Sequence, residues 1–184
     1  HSDVIHDTKN VGKPTVLTCR FPTFYGCLLQ TAINSLLKKY GLAQDSYVIN
    51  EKSYDKFLRG EIKHFIKSKK ISRSNEGLYC HHICEDKYYN LSNEKDVFIQ
   101  QLPFSTQAKG ALVYCDLIEH AILHVLINPN DNPYSDPSRL INNIKFWYID
   151  ENIPTDNWLQ TCYTLSKLST DEAKKIYTDL NSHN

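Results

Sequence analysis

Two consecutive histidines, His81 and His82, close the short apolar run "GLYCHHI" in a chain with only 8 histidines among 184 residues. The run reads as a strand. Successive side chains of a strand point to opposite faces, so the two imidazoles are committed to different surroundings. A second run, "ALVYC" from Ala111 to Cys115, reads as another strand, and "DLIEHAILHVLIN" after it as a helix stopped by Pro129. Asp116 can cap that helix, with Glu119 completing a capping-box-like pair. His120 and His124, four residues apart, project from one face of it. Strand, long connection, strand and helix, with histidines on the first and last, is the pattern that most limits what this chain can build.

That spacing suits two ligands of one ion. With His81 added, three neutral imidazoles would hold a divalent metal and keep positions open for water and substrate, as a catalytic site requires. His82, facing the other way, is then free to act as a base. Glu85 and Asp86 read as turn residues, and Glu119 as either the cap or a carboxylate orienting a histidine.

The order and residue types resemble the ββα-metal motif of HNH endonucleases, and the pairing "HHI" with "ALVYCDLIEHAILH" is similar to colicin-type DNases and HNH restriction endonucleases. The likeness runs from Gly77 to Ile127 and leaves the flanks unexplained. It implies an α+β fold with a ββα-metal core embedded among α-helices. It also implies a divalent cofactor (Mg2+ or Mn2+ in catalysis, with Zn2+ or Ni2+ as crystallographic substitutes) on His81, His120 and His124, with His82 as general base and double-stranded DNA as partner. The family's Asn, expected nine residues before the first helix histidine, falls on Ala111. Three explanations stand side by side: an inactivating substitution, transfer of the role to another residue such as Asn90 or Asn93, or a degenerate site that only binds.

Outside the motif, "FYGCLLQTAINSLLKKYG" repeats apolar residues at helical spacing behind Thr23, with Gly41 as the stop, and "PTVLTCRF" from Pro14 to Phe21 reads as a strand. "YDKFLRGEIKHFIKSKK", capped by Ser53, reads as a second helix despite Gly60. From Lys56 to Arg73 it carries Lys56, Arg59, Lys63, Lys67, Lys69, Lys70 and Arg73 against one acid, Glu61. This is either a solvated face or a phosphate-binding surface. Residues 129–184 read as helical, with Ser169 and Glu172 opening a last helix and Trp147, Tyr148, Trp158, Leu159 and Leu165 as core. The organisation expected is residues 1–75, 76–128 and 129–184 packed as one unit.

Balanced charge, 21 Lys+Arg against 21 Asp+Glu, excludes a globally basic nucleic-acid binder, so any such surface is a local patch. No apolar run reaches the ~18 residues of a membrane span. The 6 cysteines form no CxxC pair and fit reduced thiols of a cytoplasmic protein, and a homodimer is compatible with the pattern. Rival readings are a non-catalytic DNA-binding module and a cysteine peptidase with Cys27 near a helix start as nucleophile. A zinc protease is disfavoured, because Ala121 stands where HExxH places its Glu.

Overall fold

The computed structural model describes residues 24–127 and 135–183. The strand expected at Pro14–Phe21, the Thr23 cap and the Pro129 stop lie outside them. The first helix, α1 (Phe24–Tyr40), buries Leu29, Ile33 and Leu36 on one stripe, sets Lys38 and Lys39 in its last turn, and ends at Gly41 with φ +80°.

The second helix departs from expectation. α2 covers only Glu51–Leu58, capped by Asn50, whose Oδ1 accepts from the Ser53 N–H at 2.8 Å; Ser53 is therefore inside the first turn and not the cap. The helix stops because Gly60 adopts φ +73°, and the chain then runs extended, Lys67 bridging Val48 and Phe65 buried in the core. The seven cations do not share one helical face.

Two 3-10 turns, Lys69–Ile71 and Ser74–Glu76, lead into β1 (Tyr79–His82). A third, Ile83–Asp86, follows it, and α3 (Glu94–Gln100), capped by Asn93, lies in what the sequence presents as a plain loop. The second strand, β2 (Leu112–Cys115), pairs antiparallel with β1, His81 opposite Val113 and His82 opposite Leu112. Ala111 belongs to the 3-10 turn Lys109–Ala111 and not to the strand. An isolated two-stranded sheet is marginal in water; here both faces of β2 are covered. Val113 and Cys115 pack with α1 residues Leu29, Ile33 and Leu36, while Leu112 and Tyr114 pack with Ala43, Ile71 and Leu78.

Directly after β2, α4 (Leu117–Ile127) opens with the expected reciprocal cap: Glu119 N–H donates to Asp116 Oδ1 and Asp116 N–H to Glu119 Oε2, both 2.9 Å. Its apolar residues divide between two clusters. Leu117, Ala121 and Val125 join the C-terminal helices, and Leu123 and Ile127 join α1. The C-terminal helices are α5 (Ser138–Ile144), continued by a π-helical stretch Lys145–Ile149, α6 (Asn157–Ser166) and α7 (Thr170–Asn181), the last with the anticipated Ser169/Glu172 capping box. Trp147 and Tyr148 are buried as expected, Trp158 and Leu159 only partly, and Leu165 is exposed. The whole is α+β, a helical protein around one small antiparallel sheet. Among the described residues no helix is long and apolar enough to cross a membrane.

Gly77, two residues before β1, sets where the hairpin meets α6. Its φ is +77°, and a Cβ there would lie 2.7 Å from the Thr161 carbonyl oxygen and 3.2 Å from Cys162 Cα, both backbone atoms. Gly77→Ala should lower unfolding free energy by at least about 2 kcal/mol through strain and overlap together. Gly41→Ala, at φ +80° with nothing within 4 Å, should cost only about 1 kcal/mol. Urea denaturation of the two variants measures the contrast.

Candidate metal centre

The two clusters on α4 account for where His120 and His124 point. With one flank packed on α1 and another on the C-terminal helices, the remaining stripe faces β1, and His81 stands on the face of β1 that it shares with Val113. The three rings meet in T-shaped contacts, centroids 5.3 Å (His81 to His120), 5.2 Å (His81 to His124) and 4.8 Å (His120 to His124) apart. Each offers one nitrogen, and these all lie within 4.8 Å of one another; among the described residues this is the only group of three or more His, Cys, Asp or Glu with that property. Cys80, Cys84 and Cys115 form no such set.

The hydrogen bonds say which atoms are available. His124 Nδ1 faces the buried Ser135, 3.4 Å from its carbonyl and 3.3 Å from its hydroxyl. A carbonyl only accepts, so Nδ1 carries the proton and the Nε2 lone pair is directed at His120 Nε2, 3.2 Å away. Neither nitrogen of His81 has a hydrogen-bond partner, nor does His120 Nδ1. Buried polar atoms left this way cost about 1–3 kcal/mol each, and a divalent cation at their focus would satisfy the inward ones. The donor set fits such an ion.

Glu85 is the residue the sequence reading missed. The 3-10 turn after β1 reverses the chain, bringing Glu85 Oε2 to 3.5 Å from both His81 Nδ1 and His124 Nε2, with Oε1 3.9 Å from His82 Nδ1. It is part of the centre and not only a turn residue. Its legible signal was position: i+4 from one histidine and i+3 from the next. Glu119, by contrast, is occupied as a cap and by Lys39 (2.6 Å) and Tyr40 (2.9 Å), so it orients no histidine.

His82 lies on the other face of the strand, 1 % exposed, its ring edge-on to Tyr47. Gln107, fully buried, donates from Nε2 to the Leu91 carbonyl (3.1 Å), which turns its Oε1 toward His82 Nε2 at 3.3 Å. His82 therefore carries its proton on Nε2 and keeps a lone pair on Nδ1, the side toward Glu85. The amide beside the histidine comes from Gln107. Asn93 caps α3, and Asn90 donates to Asp96 while lining the cleft over His120 and His124. Ala111 is 0 % exposed in an apolar cluster with Val48, Tyr54, Phe57 and Leu91.

Two clefts flank the centre. One, of about 370 Å³, is bordered by His120, His124, Asn90, Arg139, Asn143 and Trp158. The other, of about 330 Å³, contains Lys67, Ser68, Ser72 and Arg73, and the two share Tyr79 and Trp158 as a common wall. Of the seven cations singled out in the sequence, Lys67 and Arg73 thus line the second cleft. Arg73 is engaged by Glu76 and the Tyr40 carbonyl, and Lys67 donates to Ser92 O at 3.1 Å. Arg59 pairs with Glu61 at 2.6 Å. Lys63 borders a separate groove with Phe57 and Phe98, while Lys56, Lys69 and Lys70 are exposed and face neither cleft. Arg139, which the sequence reading passed over, overlooks the histidines. Cys27 is exposed on α1, whereas His81 and His82, either of which could have served as its base, are buried in the contacts above, so no peptidase dyad forms.

Comparison of the chain with protein-family models, with curated proteins and with solved structures gives no match in any of the three.

Burial holds all four imidazoles neutral: His82 is lowered to about 4 and His120 to about 3, with His81 and His124 also lowered, from an ordinary 6.5. Below pH 6.5 the unfolded chain takes up protons that the folded one refuses, so each histidine withdraws about 1.4 kcal/mol per pH unit until its folded value is reached. Glu85, raised by burial from 4.5 to about 7, acts in the opposite sense, adding stability as pH falls from 7 to 4.5. Four imidazoles outweigh one carboxyl. In chelator, the denaturation midpoint should fall between pH 6.5 and 4.5; a flat profile would mean the imidazoles are not buried together.

Ala111→Asn places an amide in an apolar cluster and should lower stability by about 1–3 kcal/mol. Gln107→Leu removes the acceptor of the His82 proton. Nitrogen-15 NMR should find His82 as the Nε2–H tautomer in the unsubstituted protein and as an exchanging mixture in that variant.

Proposed function

We propose that the chain is a metal-dependent DNA endonuclease of the HNH type, hydrolysing phosphodiester bonds. One observation carries the reading: three imidazoles from a strand and the following helix converge, while the histidine next to the first, turned to the other strand face, is held by a buried amide with its Nδ1 lone pair free. The elements β1, β2 and α4 follow in the order that the motif requires.

A divalent ion on His81, His120 and His124 would polarise the scissile phosphate and stabilise the departing 3′ oxygen. The protein's own groups do the rest. His82 Nδ1 accepts a proton from the attacking water, and Gln107 keeps the tautomer and ring orientation that this requires. Ser135 keeps the His124 lone pair on Nε2. Arg139 and Lys67, which line one cleft each, would meet backbone phosphates on either side of the Tyr79–Trp158 wall. Products with a 5′ phosphate and a 3′ hydroxyl follow from the resemblance, and restriction or phage defence is the setting in which such an enzyme is most economical.

The non-catalytic DNA-binding reading is separated by experiment. Purified protein should nick supercoiled plasmid with an added divalent metal, across a panel of Mg2+, Mn2+, Co2+, Ni2+ and Zn2+, and stop with EDTA. His82→Ala should slow cleavage by about 10²–10⁴-fold at nearly unchanged DNA affinity, and His124→Ala should weaken metal binding. Protein that takes up metal and binds DNA but cuts neither duplex nor single strand with any of these ions is a binding module, and the nuclease proposal falls.

A further inference from the structure

Glu85 has no place in the three-histidine scheme, yet its carboxylate stands 3.5 Å from two of the three imidazoles. We infer that Glu85 Oε2 is the fourth protein ligand, closing a His81–Glu85–His120–His124 site that takes a tetrahedral first-row transition dication in preference to Mg2+. The inference rests on the metal site of the nuclease reading and goes beyond it in ligand number and ion class.

The distances carry it. Four donors bound at about 2.0–2.1 Å in a tetrahedron stand about 3.4 Å from one another. Glu85 Oε2 lies 3.5 Å from His81 Nδ1 and 3.5 Å from His124 Nε2, and His124 Nε2 lies 3.2 Å from His120 Nε2. The two carboxylate contacts are not hydrogen bonds: His81 Nδ1 has no such partner, and the His124 proton is on the opposite nitrogen, toward Ser135. His120 and His124 share a hydrogen bond that an ion would replace, and Glu85, which meets His81 and His124 but lies outside the group of nitrogens within 4.8 Å of one another, would close toward His120 on binding it.

Charge points the same way. The Glu85 side chain is 17 % exposed, and among the described residues its ion-pair contacts are to histidines alone. Neutral imidazoles do not offset the cost of burying a carboxylate. A dication does. Three imidazoles and one carboxylate also match the donors that Zn2+ and Co2+ select, whereas Mg2+ demands near-octahedral oxygen coordination and retains several waters.

The chemical consequence concerns access. With four protein donors bound, a phosphate reaches the ion by displacing Glu85 or by raising the coordination number. The other oxygen, Oε1, already lies 3.9 Å from His82 Nδ1, on the side where that base meets its water. Glu85 thus stands between base and metal.

The test uses the full chain with Co2+ as the probe, because four-coordinate Co2+ absorbs strongly in the visible and higher-coordinate Co2+ weakly. Unsubstituted protein should bind one Co2+ with strong bands, and Mg2+ in large excess should not displace it. Glu85→Gln should weaken Co2+ binding at least tenfold and reduce the bands. A metal-induced infrared difference spectrum of the unsubstituted protein should show a shifted carboxylate stretch, which keeps the inference testable if the variant does not fold. Equal affinity and spectra in protein and variant, or no carboxylate shift, would overturn the fourth ligand while leaving the three histidines intact. If the unsubstituted protein binds no Co2+, or binds it undiminished after His124→Ala, the metal site fails and the nuclease reading with it.

Discussion

A seam of uncharged imidazoles between one strand and one helix is the constraint around which the molecule is arranged. His81 is 2 % exposed and His82 1 % exposed, and burying such rings without protonating them requires a partner for each nitrogen. For His82 the partner is an amide, and for His124 a serine. For both nitrogens of His81 and for Nδ1 of His120 the protein supplies none, and the inward nitrogens are where a cation could bind.

The scaffold's task is to hold that seam on a sheet too small to stand alone. β2 is buried along its whole length, and α4 is gripped on two flanks, by α1 and by the C-terminal helices. Leu117, Ala121 and Val125 on one side and Leu123 and Ile127 on the other leave a single orientation for the stripe that carries His120 and His124. The helices outside the motif therefore position the centre although they contribute none of its donors.

The connection between the strands supplies the amide that stands beside His82. Ala111, the position to which the sequence resemblance assigned an Asn, is packed among aromatic and aliphatic side chains. The amide that meets His82 is on Gln107, four residues earlier, in a segment bound back to Leu91 and Tyr47 through its side chain and carbonyl. What the buried imidazole needs is an acceptor at its nitrogen, and the Gln107 side chain meets that need.

Much of the site was legible without coordinates. Period-two alternation separates His81 from His82, period 3.6 joins His120 to His124, and Asp116/Glu119 and Ser169/Glu172 announce two helix starts; these are local rules, and they held. The basic segment was misread for an equally local reason: Gly60 takes a left-handed conformation that ends α2, and beyond it Lys67 pairs with Val48 in an extended bridge rather than continuing the helix. Glu85 offered only its i+4 and i+3 spacing from the two histidines, and Gln107 and Arg139 offered no signal. Nothing near them in sequence shows which histidine they approach, because that depends on a tight turn after β1, on a loop folded back over Leu91, and on a helix from beyond the motif. Short-range periodicity decides which face a side chain takes; only the packing of distant segments decides what it finds there.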